Sequence, residues 1–191
     1  MVKKLKLKLI GVAPLITHNN QGVDPLNEYA KAIKQISGKK QKTEADLYEL
    51  GRLEFESGLY INEKDQVILP SKIFEGMLIN GAKKFKEGPA AKAGAFVEED
   101  SLLEFKDMKT KGQNLFEKKE YVFRAPVKVQ QSTIIRTRPI FNKWSTTFEV
   151  QFFPDVCQKE QIIKWIERAG EVVGAGDYRP RYGRFTVQVL K

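Results

Sequence analysis

Apolar and polar positions alternate through Lys3-Lys4-Leu5-Lys6-Leu7-Lys8-Leu9-Ile10, and the chain then stays apolar to Pro14. A period of two predicts a strand with one buried face. The polar run Thr17 to Gly22 reads as a turn. Asp24-Pro25 predicts a helix start, with Asp24 as N-cap and Pro25 in the first helical position. Leu26, Tyr29, Ile33 and Ile36 then recur at helical spacing as far as Gly38. Thr43 and Asp46 have the spacing of a capping box, and Leu47, Leu50 and Leu53 carry a second helix to Gly58. A helical hairpin with a lysine-rich tip (Lys39, Lys40, Lys42) is the result.

Leu59-Tyr60-Ile61 and Val67-Ile68-Leu69 flank a four-residue polar connection, the pattern of a β-hairpin. Pro70-Ser71 opens a helix with Ile73, Phe74, Met77, Leu78 and Phe85 on one face, and Gly88-Pro89 is expected to end it. Alternating runs within 96–105 and 121–153 predict strands. A last helix is expected from about Asp155 to Ala169 with Gly170 as its stop, followed by a glycine-rich loop and a strand to Lys191. Without insertions the order is β-α-β-β-α-β. That is the ferredoxin-like (RRM-like) α+β layout, an antiparallel sheet with helices on one face, here a single domain over 1–191 with residues 24–57 as a helical insertion after the first strand.

Composition narrows the chemistry. The net charge is +9, and 41% of the residues are hydrophobic, which suits a folded basic protein. Residues 121–191 hold twelve Lys/Arg against six Asp/Glu, including seven of the eight arginines. Arginine concentrated in one region points to phosphate contacts, although a basic surface also suits an acidic protein or a membrane. One cysteine, Cys157, excludes an internal disulfide and a multi-cysteine zinc site, and suggests a reducing, cytoplasmic compartment. No apolar run is long enough for a transmembrane helix, and the alternating N-terminus does not resemble a signal peptide. No cofactor or metal is expected.

Two segments stand out. Gly174-Ala175-Gly176-Asp177-Tyr178-Arg179-Pro180-Arg181-Tyr182-Gly183-Arg184 joins glycines, which allow close backbone approach, to arginines that match phosphate and tyrosines that can stack on bases. The competing reading is a structural loop whose arginines pair with acids such as Asp177. The second segment is Gln130 to Trp144, where Arg136 and Arg138 share a strand face and need an anion between them, a carboxylate or a phosphate. Trp144 is read as either a stacking platform or a core anchor, and Phe141 as core. Lys83, Lys84 and Lys86 read as a solvated helix end. His18 and Asp24 are candidates for acid–base or metal chemistry on RNA, with helix capping as the simpler role for Asp24.

Three motifs resemble the RAMP superfamily, the ferredoxin-like RNA-binding proteins of CRISPR effector complexes, and in particular their repeating backbone subunit. Leu69-Pro70-Ser71-Lys72-Ile73-Phe74-Glu75-Gly76-Met77-Leu78 resembles the entry to that subunit's first helix. Gly170 to Phe185 resembles the superfamily's glycine-rich loop, and Gly22-Val23-Asp24-Pro25 the loop where some backbone subunits carry a cleaving aspartate. The chain is short for such a subunit, so a compact phage-encoded relative fits equally. The resemblance implies single-stranded nucleic acid binding within an assembly of repeated subunits.

The expectation is therefore a non-enzymatic binder of single-stranded RNA or DNA, using Arg136, Arg138, Trp144, Tyr178, Arg179, Arg181, Tyr182 and Arg184. Two rivals stand beside it. One is a metal-assisted endoribonuclease using Asp24. The other is a protein-interaction module, such as a phage inhibitor of a host defence complex.

Overall fold

A computed structural model describes residues 1–129 and 132–190. Gln130 and Gln131 of the second candidate segment, and Lys191 of the last strand, lie outside the described residues. The chain is α+β with mostly antiparallel sheet. The main sheet runs β3 (Ile68–Leu69), β5 (Ser101–Glu104), β8 (Ser145–Phe152), β1 (Lys3–Gly11), β9 (Phe185–Val189), with β4 (Ala95–Phe96) also on β8. The alternation read in β1 is the reason for its central place. Leu5, Leu7 and Leu9 are buried while Lys4 and Lys6 face solvent. Across the register, Leu7 meets Phe148 and Val189.

Helices α3 (Ser71–Lys83) and α5 (Lys159–Val172) cover the apolar face and pack on each other. Phe74 of α3 stacks on Phe148 at 4.2 Å between centroids. The backbones touch closely: a Cβ on Gly81 would lie 2.0 Å from the Trp165 carbonyl oxygen. The opposite face is a ladder of charges, including Lys4–Glu149 and Lys8–Glu104, both at 2.7 Å.

A second sheet holds β2 (Leu15–Ile16), β7 (Ser132–Phe141) and β6 (Val122–Val129). The single strand expected over 3–16 is thus divided. At Gly11 the Trp144 ring fills the space of a side chain, a Cβ there falling 2.2 Å from the indole nitrogen, and residues 12–14 cross from one sheet to the other. Helices α1 (Glu28–Ser37) and α2 (Glu44–Gly58) form the helical pair, and α2 lies along β7.

Several boundaries differ from expectation for physical reasons. Asp24 does not cap α1: its Oδ1 accepts from Leu26 N at 2.9 Å, and Asn27 is the cap, accepting from Tyr29 N. The helix from Ser71 ends at Lys83, a turn with Lys86 at φ 63° follows, and Gly88-Pro89 opens a new helix, α4 (Gly88–Gly94), as proline permits at a first turn. Gly170 does not stop α5. A Cβ there would sit 2.2 Å from the Phe185 carbonyl oxygen, so this glycine serves helix–strand contact and the left-handed residue after the helix is Gly174.

Candidate nucleic-acid interface

The glycine–arginine loop is built by its backbone. Gly174, Gly176 and Gly183 all have φ between 71° and 77°. At Gly176 a Cβ would fall 2.2 Å from the Ile16 carbonyl oxygen, and at Gly183 1.9 Å from that of Ala175. The loop is tied to the crossover between the sheets: Asp177 N donates to Ile16 O and Gly183 N to Pro14 O, both at 2.7 Å. Arg184 O accepts from Val12 N at 2.9 Å. Tyr178, at φ 55°, occupies a region that side chains rarely adopt. Such residues persist where surrounding contacts fix them.

Arg179, Arg181 and Arg184 are exposed on this frame and form no ion pair among the described residues. The expected alternative, pairing with Asp177, is not what Asp177 does. Its Oδ2 takes the His18 imidazole (Nδ1) at 3.3 Å and lies 3.8 Å from Arg138 Nε, while Oδ1 accepts from Tyr178 N at 2.9 Å. The His18 contact, together with that backbone bond, holds the Asp177 carboxyl below its ordinary range despite partial burial. Tyr178 and Tyr182 meet Phe123 of β6 edge-on, at 5.5 and 5.6 Å, and each other at 6.2 Å. Edge-on packing of this kind holds the three rings against one another and fixes the tyrosines on the loop.

Other expected site residues are placed differently. Arg136 is in ion contact with Glu54 of α2, whose other oxygen accepts from Thr137 N at 2.8 Å. Arg138 is largely covered beside Asp177. The two arginines therefore do not share an anion between them: each has its own carboxylate from the protein, Glu54 for Arg136 and Asp177 for Arg138. Trp144 is 4% exposed, donates Nε1–H to Ala13 O at 2.9 Å, and is a core residue with no free stacking face. Phe141 is buried, as read. His18 sits beside Asp177 rather than Asp24, and among the described residues no group of three His, Cys, Asp or Glu side chains could hold a metal ion.

A feature not visible in the sequence joins the loop to α3. Two adjoining depressions of about 350 Å³ and about 600 Å³ share Asn80, Gly176, Asp177 and Arg179. Lys72 and His18 line the smaller, Lys83 and Lys84 the larger. The only advance signal was the spacing of Lys72, Gly76, Asn80 and Lys83 on the side of α3 away from Phe74 and Leu78. A third depression, about 500 Å³ on the charged sheet face, contains Glu98, Glu99, Asp100, Glu104 and Glu149 beside Lys4 and Lys6, and its carboxylates repel phosphate. No helix among the described residues is long and apolar enough to cross a membrane.

Comparison with known proteins adds no identity: neither protein-family models nor curated proteins match the chain.

Proposed function

We propose that this protein binds single-stranded RNA or DNA through its backbone, with the Gly174–Arg184 loop as the primary contact. The observation carrying this reading is that Arg179, Arg181 and Arg184 stand exposed, with no ion pair among the described residues, on a fixed loop that also carries Tyr178 and Tyr182. Guanidinium groups free to take phosphate, beside tyrosines that can meet bases, match a single strand. Arg136, Arg138 and Trp144 act in support of the hairpin and core. The strand order β5-β8-β1-β9, with α3 and α5 on one face, supports a ferredoxin-like core, and a RAMP-type relationship is part of the same proposal. Several copies aligned on one strand would bind cooperatively.

The test is fluorescence anisotropy with single-stranded RNA and DNA oligonucleotides beside duplex controls, over a series of salt concentrations. Wild type should prefer single strands, and its log affinity should fall linearly with log salt. Each lost phosphate contact removes about 0.7 from that slope, so R179A/R181A/R184A should lower it by about 2. Salt-independent binding, or a triple variant equal to wild type, defeats the reading. Cleavage of the RNA in Mg²⁺ that disappears in Asp24→Ala would favour the nuclease instead.

A further inference from the structure

The two outer edges of the β6–β7 hairpin are finished differently. In an antiparallel pair, every second residue turns its N–H and C=O away from the partner strand. On β7 these are Pro139, Thr137, Ile135 and Thr133, because Pro139 O accepts from Thr17 N and Thr137 N donates to Glu54. Thr137 O is occupied as well, by Arg138 Nη1 at 3.1 Å. Beyond Thr137 no strand or side chain among the described residues pairs with this edge, so the N–H and C=O of Ile135 and Thr133 face outward unpaired. Across the hairpin, the residue opposite Ile135 is Pro126, which has no N–H to offer on the outer edge of β6. Proline on an edge strand guards against pairing with another chain. At this level β6 has that guard and β7 does not.

The open edge borders an apolar cleft. Leu47 and Leu50 of α2, with Ile134 and Ile135 of β7, line a space of about 330 Å³. Leu47 is 48% and Ile135 51% exposed, so apolar surface lies next to unpaired backbone. Lys42 and Arg124 also line the cleft, and neither forms an ion pair among the described residues. The carboxylate in the lining, Glu54, is already taken by Arg136 and the Thr137 amide.

We infer that the β7 edge and this cleft form a docking site for an extended segment of a partner protein, rich in apolar and acidic residues, which adds as a strand beside Thr133 and Ile135. In strand addition, backbone pairing supplies affinity and the neighbouring side-chain pockets choose the partner. Apolar side chains of the segment enter the cleft between Leu47 and Ile135. Its carboxylates are drawn by Lys42 and Arg124, which turn a basic segment away. No residue of the Gly174–Arg184 loop lines the cleft, so the site stands whether or not that loop holds a nucleic acid strand.

The probe is a short, labelled, end-capped peptide of alternating valine and glutamate, titrated into the full chain beside its valine–lysine counterpart. The glutamate peptide should bind and the lysine peptide should not, and the Thr133 and Ile135 amides should gain protection from hydrogen exchange in the complex. Ile135→Pro removes an outward N–H without breaking the ladder to β6, and should weaken binding at least tenfold. Arg124→Glu, an exposed change, should weaken the glutamate peptide and admit the lysine peptide. Melting temperatures show whether each variant is folded, and Arg124→Glu decides if Ile135→Pro is not. R179A/R181A/R184A should bind the peptide as wild type does. The docking site is wrong if neither peptide binds, if the glutamate peptide binds without protecting those two amides, or if both variants bind as wild type. Self-association of wild type that Ile135→Pro abolishes, without peptide binding, overturns it in favour of pairing between two copies of this chain.

Discussion

Glu54 governs how α2 meets the β6–β7 hairpin. It is 3% exposed, yet its two oxygens serve the Thr137 amide and the Arg136 guanidinium. Replacing it with alanine strands a buried amide donor and leaves Arg136 without its counter-charge. The loss should be about 1–3 kcal/mol, the range for an unsatisfied buried polar group, with Glu54→Gln costing less because it can still accept from Thr137. Chemical denaturation of the two variants checks this. At this scale the sequence was informative about chemistry and silent about partners. Its alternation put Arg136 and Arg138 on one strand face and called for an anion between them, whereas each has a carboxylate of its own. That Arg136 would take Glu54, eighty-two residues earlier, follows only from the docking of α2. Tryptophan is both large and polar-tipped, so Trp144 suited core and surface equally until its indole N–H met Ala13 O.

Among the elements, α2 has the clearest start. Thr43 and Asp46 form the full capping box, and Lys39 Nζ adds a contact to Asp46 at 2.6 Å. The lysine bond first, and the Thr43 amide next, lower the Asp46 carboxyl to about 2. A lowered carboxyl stabilises the folded state above its ordinary range near 4 and loses that contribution as pH falls toward 2. Asp46→Asn should therefore narrow the stability difference between pH 6 and pH 2.5. Thr43→Ala should cost about 1 kcal/mol at neutral pH, and urea midpoints at the two pH values measure both effects. This cap was legible because its parts lie within four residues. Gly170 was misread because glycine also serves contacts between distant segments, and the Phe185 carbonyl that requires it arrives only with β9. The division of the first strand at Gly11 was hidden for the same reason.

In the molecule as a whole, the two glycines of α3 should respond to alanine in opposite directions. Gly81→Ala wedges α3 from α5 and should lose about 1–3 kcal/mol, the cost of overpacking. Gly76→Ala meets nothing and should gain about 0.5–1 kcal/mol from helix propensity. Denaturant midpoints compare them directly, and a shared sign would contradict the packing described. The charge imbalance of the C-terminal third was visible in composition, but its separation from the acidic depression on the open sheet was not, since it depends on which face each strand turns outward. One further consequence concerns the order in which the chain is made. The Gly174–Gly183 loop is held by carbonyls at Pro14 and Ile16, and Val12 in turn bonds back to Arg184. Segments far apart in the chain thus complete one another, and a nascent chain lacks its arginine-bearing surface until both the Val12–Ile16 crossover and the Gly174–Arg184 loop have left the ribosome.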